Sequence, residues 1–276
     1  MWKTFSSGVD WFTTTAGKDS DEIGALDDLG LELLSESLKE AHQIHKQNIE
    51  GYQGTRIGSV FVGFRNDGMM LQVTGGAAHQ AAGRLKERVP NAKLSRIDFE
   101  ITVQGEDGDE HHARRLYREI DAKDFRTPKG RRFSAEVKHR PRRGDTLYVG
   151  SPTSDRYGRV YNKTAEQRGK VAPNLWRYEV EHHRKPAQKA WAAFCASDSP
   201  TSITRDVVVA TFEDKGLDMS FVDNSTPHRL PTSYEPTDDE RRLEWLSSHV
   251  SKTVRQLEDR LGAEAVAKAL GLKFRP

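Results

Sequence analysis

Three stretches of the chain alternate apolar and polar residues with the period of two that a half-buried strand requires, since side chains at i and i+2 share a face. In residues 96–103 the apolar Ile97, Phe99, Ile101 and Val103 leave Arg96, Asp98, Glu100 and Thr102 together on the other side. In 157–163, Tyr157, Arg159, Tyr161 and Lys163 share one side, and Gly158, Val160 and Asn162 the other. In 176–183, Arg177, Glu179, Glu181 and His183 alternate with Trp176, Tyr178, Val180 and His182. Shorter runs rich in aromatic and β-branched residues predict further strands at 10–15, 133–140 and 146–150. The runs 60–64 and 69–73 flank Arg65-Asn66-Asp67-Gly68, which predicts a hairpin.

Helical spacing appears elsewhere. Leu26, Leu29, Leu33, Leu34, Leu38, Ala41 and Ile44 predict a helix over 25–47, a short helix follows Gly75-Gly76, and a polar one is expected near 109–123. Thr237 caps a helix whose first turn holds Asp238, Asp239 and Glu240, whose apolar stripe runs from Leu243 to Leu261, and which Gly262 stops. A second short helix is expected at 263–270. Hairpins mixed with single helices predict an α+β fold, a mixed or antiparallel sheet with helices packed on one face plus a C-terminal helical segment. The expected organisation is a body over 1–222, a linker over 223–236 marked by Pro227, Pro231 and Pro236, and a helical tail over 237–276.

Composition narrows the partners. The 276 residues are 35% hydrophobic, enough for a sizeable core, and no apolar run approaches the ~18 residues of a spanning helix. The N-terminus has no charged segment followed by an apolar one. The lone Cys195 forms no intramolecular disulfide, so a cytoplasmic setting is expected and any metal must sit on oxygen or nitrogen ligands. Formal charge is +2 overall but uneven: residues 1–50 carry −6, whereas 126–189 carry +11. The basic stretch is densest over 126–143, at Arg126, Lys129, Arg131, Arg132, Lys138, Arg140, Arg142 and Arg143, which points to a polyanion, although a solvated basic surface balancing the acidic N-terminus reads the same way.

The three polar strand faces carry the candidate chemistry. Laid side by side they converge into a patch of carboxylates, tyrosines, arginines and a lysine. Carboxylates with a neighbouring imidazole suit Mg²⁺ or Mn²⁺, a tyrosine on the same face can attack phosphorus, and Arg and Lys can hold the phosphate. The plainer alternative is cross-strand ion pairing on a solvated face.

Several motifs resemble the Rep-trans family, which includes rolling-circle plasmid initiators, filamentous-phage-type replication initiation factors and relaxases of conjugative elements. The resemblance rests on the run from Gly144 through Ser154, on Arg159-Val160-Tyr161-Asn162-Lys163, on Trp176-Arg177-Tyr178-Glu179, on Val9-Asp10-Trp11 and on Arg96-Ile97-Asp98. It implies an endonuclease that binds origin DNA, single-stranded or as a hairpin, and nicks one strand by metal-dependent tyrosine transesterification. A host helicase and a homodimer are further implied partners. Carried over by position, Tyr161 or Tyr157 is the nucleophile, Lys163 assists, and Asp98 and Glu179 hold Mg²⁺ or Mn²⁺. Arg159 and Arg177 join the basic stretch in holding DNA. Thr102 stands where relatives often carry a second acidic residue, so Glu181 and Glu100 are the candidates for the third ligand. A conjugative relaxase and a non-catalytic origin-binding protein stay open as alternatives.

Overall fold

The first strand of the chain pairs on both of its sides, and this organises the rest. A computed structural model describes residues 2–40, 43–105, 111–123, 134–141, 144–231 and 251–269. It divides into two units, Met1–Pro231 and Thr232–Pro276. In the first unit ten strands form one antiparallel sheet: β1 (Lys3–Gly17), β2 (Ile44–Ile49), β3 (Tyr52–Ile57), β4 (Val60–Arg65), β5 (Gly68–Thr74), β6 (Lys93–Gln104), β7 (Ala135–Arg140), β8 (Gly144–Val149), β9 (Arg156–Asn162) and β10 (Leu175–His183). Their spatial order is β2-β3-β4-β5-β1-β6-β10-β9-β8-β7. The fold is α+β, as the alternation implies.

Helices cover one face of the sheet. They are α1 (Ile23–Glu40), α2 (Ala78–Arg88), α3 (His112–Ala122), α5 (Arg184–Ala196) and α6 (Pro200–Glu213), with a single short turn of helix, α4 (Lys163–Glu166), after β9. Leu26, Leu29 and Leu33 of α1 pack with Val60, Val62 and Leu71, while Trp191, Phe194, Val208 and Phe212 of α5 and α6 join Ile97, Phe99, Ile101 and Val103 in the same core. Each such side chain, fully buried, contributes roughly 1.5–3 kcal/mol. The apolar half of β6, β9 and β10 is thereby consumed, and their polar half lies on the opposite face of the sheet. Leu217, Met219, Val222 and Leu230 also pack into this core.

Two sequence expectations shift. The helix expected over 25–47 ends at Glu40, and Ile44–Ile49 instead pairs with Tyr52–Ile57 as a hairpin. The leucine stripe stops at Leu38, and beyond it every residue from Ile44 to Asn48 is exposed, a pattern with no buried face to report its period. Lys163, expected at the end of a strand, opens α4, where Asn162 caps the turn by accepting from the Ala165 amide at 2.8 Å. In the second unit α7 (Ser251–Leu261) and α8 (Ala263–Ala269) flank Gly262. Gly262 has φ +83°, the left-handed conformation of a helix stop.

Candidate active site

β10 lies between β6 and β9, so the three polar strand faces are neighbours in one sheet. Register then decides which residues meet. Across β6, β10 and β9, Asp98 stands opposite Glu181 and Glu181 opposite Tyr157; Glu100 opposite Glu179 and Glu179 opposite Arg159; Thr102 opposite Arg177 and Arg177 opposite Tyr161. These three rows form the polar face of the sheet's centre.

Asp98, Glu179 and Glu181 are buried and offer carboxylate oxygens that all lie within 4.8 Å of one another. Each is held by a cation, and Glu179 and Glu181 by a phenol as well. Arg96 grips Asp98 with Nε at 2.9 Å and Nη2 at 2.5 Å, and its Nη2 also lies 3.0 Å from Glu181 Oε1. Arg159 donates to Glu179 and stands 3.6 Å from Glu181. Tyr157 Oη donates to Glu181 Oε1 at 2.6 Å, and Tyr161 Oη donates to Glu179 Oε2 at 3.0 Å. His183 bonds Glu181 at 3.0 Å, whereas His182 faces the core and contacts Ile97 O at 3.3 Å, so one member of the histidine pair shares the carboxylate face. Glu100 stands apart from the cluster: it accepts from Thr102 Oγ1 at 2.7 Å and pairs with Arg177 at 3.3 Å.

Electrostatics follow from this packing. Burial raises the Asp98 carboxyl well above its ordinary value against the pull of Arg96, and Glu179 and Glu181 add to the rise. Burial would raise Glu181 too, but the His183 hydrogen bond, Arg96, Tyr157 and Arg159 outweigh it and hold that carboxyl at about 2. Burial, then the adjoining carboxylate, keeps both phenols protonated: Tyr161 beside Glu179 and Tyr157 beside Glu181. Hard oxygen donors crowded together, one of them reluctant to ionise, fit a small divalent cation, which would relieve the repulsion among them.

Around this centre, Lys163 Nζ lies 5.7 Å from the Tyr161 ring centroid and pairs with Glu166 at 2.9 Å. Arg177 is bound by Asp10, which the Val9-Asp10-Trp11 motif includes without a site role. β1 bulges between Val9 and Trp11, and the extra residue lets both Asp10 and Trp11 reach the side that carries the carboxylates. Simple alternation would send Asp10 and Trp11 to opposite faces, so only a bulge, invisible to a period-two reading, brings them together. Arg96 likewise had no assigned role. Its place beside Asp98 follows from i,i+2 spacing on one strand face. Of the basic stretch, Lys138 and Arg140 lie on β7 against Tyr148, with Lys138 Nζ 5.5 Å from its ring and Arg140 Nη2 3.4 Å from its hydroxyl. Arg131, Arg132, Arg142 and Arg143 lie outside the described residues.

The sequence model of a family described as replication initiation factor matches residues 92–267. The fold is similar to a solved rolling circle replication initiator protein from Geobacillus stearothermophilus, with 18% identity, a TM-score of 0.55, and coverage of 90% of this chain and 96% of that one. No curated protein sequence matches. Among the described residues no helix is long and apolar enough to cross a membrane.

Proposed function

The chain belongs to the replication initiation factor family, and from that premise we propose that it binds a replication origin and nicks one strand to start rolling-circle replication. The observation that carries this reading is the pair of phenols hydrogen-bonded into a three-carboxylate cluster on the polar face of the sheet. The likeness in fold to a rolling circle initiator supports it.

Tyr161 is the proposed nucleophile. It is half-buried, whereas Tyr157 is buried, and it stands beside both Arg177 and Lys163. Its Oη attacks the scissile phosphorus; the new bond is Oη–P and the bond that breaks is P–O3′. The phenolic proton has an acceptor in Glu179 Oε2, 3.0 Å away. The departing 3′ oxygen takes up a proton and becomes the free hydroxyl that a polymerase extends. Asp98, Glu179 and Glu181 would hold Mg²⁺ or Mn²⁺, which supplies polarisation of the phosphate and offsets its growing charge. Arg159 keeps a buried Nε without a hydrogen-bond partner among the described residues, a donor that a phosphate oxygen would satisfy. Lys163 and Arg177 add positive charge beside the phenol that must ionise.

The test is a denaturation-resistant protein–DNA adduct, sought with labelled single-stranded fragments tiling the replicon that encodes the chain, with Mg²⁺, Mn²⁺ or chelator. An adduct that needs metal, maps to Tyr161 and disappears in Tyr161→Phe is expected. An adduct that survives in Tyr161→Phe and is lost in Tyr157→Phe moves the nucleophile. Tight binding with no adduct on any fragment overturns the nicking mechanism and favours origin binding alone.

A further inference from the structure

The polar face does not end at the carboxylates. It continues across β1, β5, β4 and β3, whose residues precede the family match, and from Arg96 on β6 outward one arrangement repeats. Arg96 Cζ lies 4.1 Å over the Trp11 ring, Arg56 Cζ 5.6 Å over Phe61, and Arg65 Cζ 4.3 Å over Tyr52. The registers Arg56↔Phe61, Phe61↔Gln72 and Gln72↔Thr13, continued by Thr13↔Arg96, put these pairs on the same side as Asp98. Phe61 and Tyr52 are buried, so what faces outward is the guanidinium that each ring backs.

Arg56 differs from the other two cations. Arg96 is neutralised by Asp98 and Glu181, and Arg65 by Asp67. Arg56 is instead gripped by two neutral amides, its Nε donating to Gln47 Oε1 at 2.8 Å and its Nη2 to Gln72 Oε1 at 2.5 Å. Among the described residues it makes no ion pair. Gln72 donates in turn to Thr13 Oγ1 at 3.2 Å, which also accepts from Trp11 Nε1 at 3.0 Å. A half-buried guanidinium fixed in place by a hydrogen-bonded chain, with no carboxylate to neutralise it, is prepared for an anion from outside.

We propose that the β1–β5–β4–β3 face is a track for single-stranded DNA leaving the carboxylate cluster, with Arg56 as its phosphate anchor and the ring-backed guanidinium groups of Arg96 and Arg65 as stacking surfaces for bases. This rests on the nicking reading and extends it. Bases stack on arginine planes as well as on rings, and a cationic surface follows a nucleic-acid backbone. Strand spacing of about 4.8 Å makes the span from β6 to β3 about 19 Å, room for roughly five nucleotides at the 3.4 Å spacing of a stacked strand. Continuity with the catalytic rows argues that the occupant is the same strand, not a second ligand.

The experiment is fluorescence anisotropy of the full chain with a ladder of labelled oligo(dT), 5 to 30 nucleotides long, across a salt series and in chelator. Arg56→Met is compared with Arg56→Lys and the parent, with thermal midpoints recorded for each. The expected result is about tenfold weaker binding for Arg56→Met on long oligonucleotides, a salt slope reduced by about 0.7, partial rescue by Arg56→Lys, and an affinity plateau reached with fewer nucleotides. Unchanged affinity and salt slope in a folded Arg56→Met chain overturn the track, as does an equal loss at every oligonucleotide length. Absence of any length-dependent binding by the parent also overturns it. The nicking reading stands or falls separately, on the tyrosine adduct.

Discussion

Arg159 and a divalent cation answer the same need, the excess negative charge of Glu179 and Glu181, and this makes their effects interdependent. Burial on its own would disfavour the charged guanidinium, but Glu179, Glu181 and Asp98 more than offset it and bind its proton more firmly than usual. Arg159→Met leaves buried carboxylates without their counter-ion, a change that costs about 3–5 kcal/mol for a fully buried pair. With 27% of the Arg159 side chain exposed, the lower end, about 3 kcal/mol, is expected in chelator. The same substitution removes a positive charge next to the proposed cation. Two unit charges 4 Å apart interact by about 4 kcal/mol at an effective dielectric constant of 20. Half of that, discounted for exposure, is about 2 kcal/mol, or roughly thirtyfold tighter Mg²⁺ binding. Urea unfolding followed by the fluorescence of buried Trp176 and Trp191, in EDTA and over a Mg²⁺ series, reads both quantities. The variant should be weakened in EDTA and regain most of the loss in Mg²⁺. An equal deficit with and without metal, and an unchanged Mg²⁺ affinity, would refute the placement of the cation on these carboxylates.

Two further perturbations probe the scaffold behind the site. A Cβ added at Gly158, between the two tyrosines on β9, would meet Phe212 Cε1 at 2.8 Å, so Gly158→Ala is expected to lose about 1–3 kcal/mol; a thermal midpoint equal to the parent's would contradict the close packing. Burial holds the Lys215 ammonium down at about 7 from its ordinary 10.5. The unfolded chain therefore binds more protons than the folded one between pH 7 and 10.5, and stability rises with pH through that window by about 4–5 kcal/mol, being lowest below pH 7. Lys215→Met should flatten this rise in urea midpoints measured from pH 6 to 10, and a slope that persists would place the proton elsewhere.

Alternation made the carboxylate-bearing half of the sheet legible because each of its strands has one face in a core. Ile97, Phe99 and Ile101 must be inside, so Asp98 and Glu100 must be outside, and the same logic fixes Glu179 and Glu181. The pairing partners were not legible from any one strand, since only tertiary order puts β10 between β6 and β9. That order separates Glu181, which joins the carboxylate cluster, from Glu100, which pairs with Arg177; both lie on the same polar face in the sequence pattern. The β2–β3 hairpin escaped notice because residues 44–48 are wholly exposed and carry no period. Asp10 stands in a motif, but its place beside Arg177 was not legible because a bulge breaks the count.

The position of β10 also orders events in time. It is the last strand of the sheet to be synthesised, yet it must lie between β6, which starts 82 residues before it, and β9. The hairpins β2–β3, β4–β5 and β7–β8 close over short loops and can form early, whereas joining β6 to β10 requires a long loop to close. A nascent or truncated chain that stops before residue 175 has Asp98 and both tyrosines but neither Glu179 nor Glu181. The carboxylate cluster therefore exists only in a chain whose sheet is finished, and a partly made chain has none.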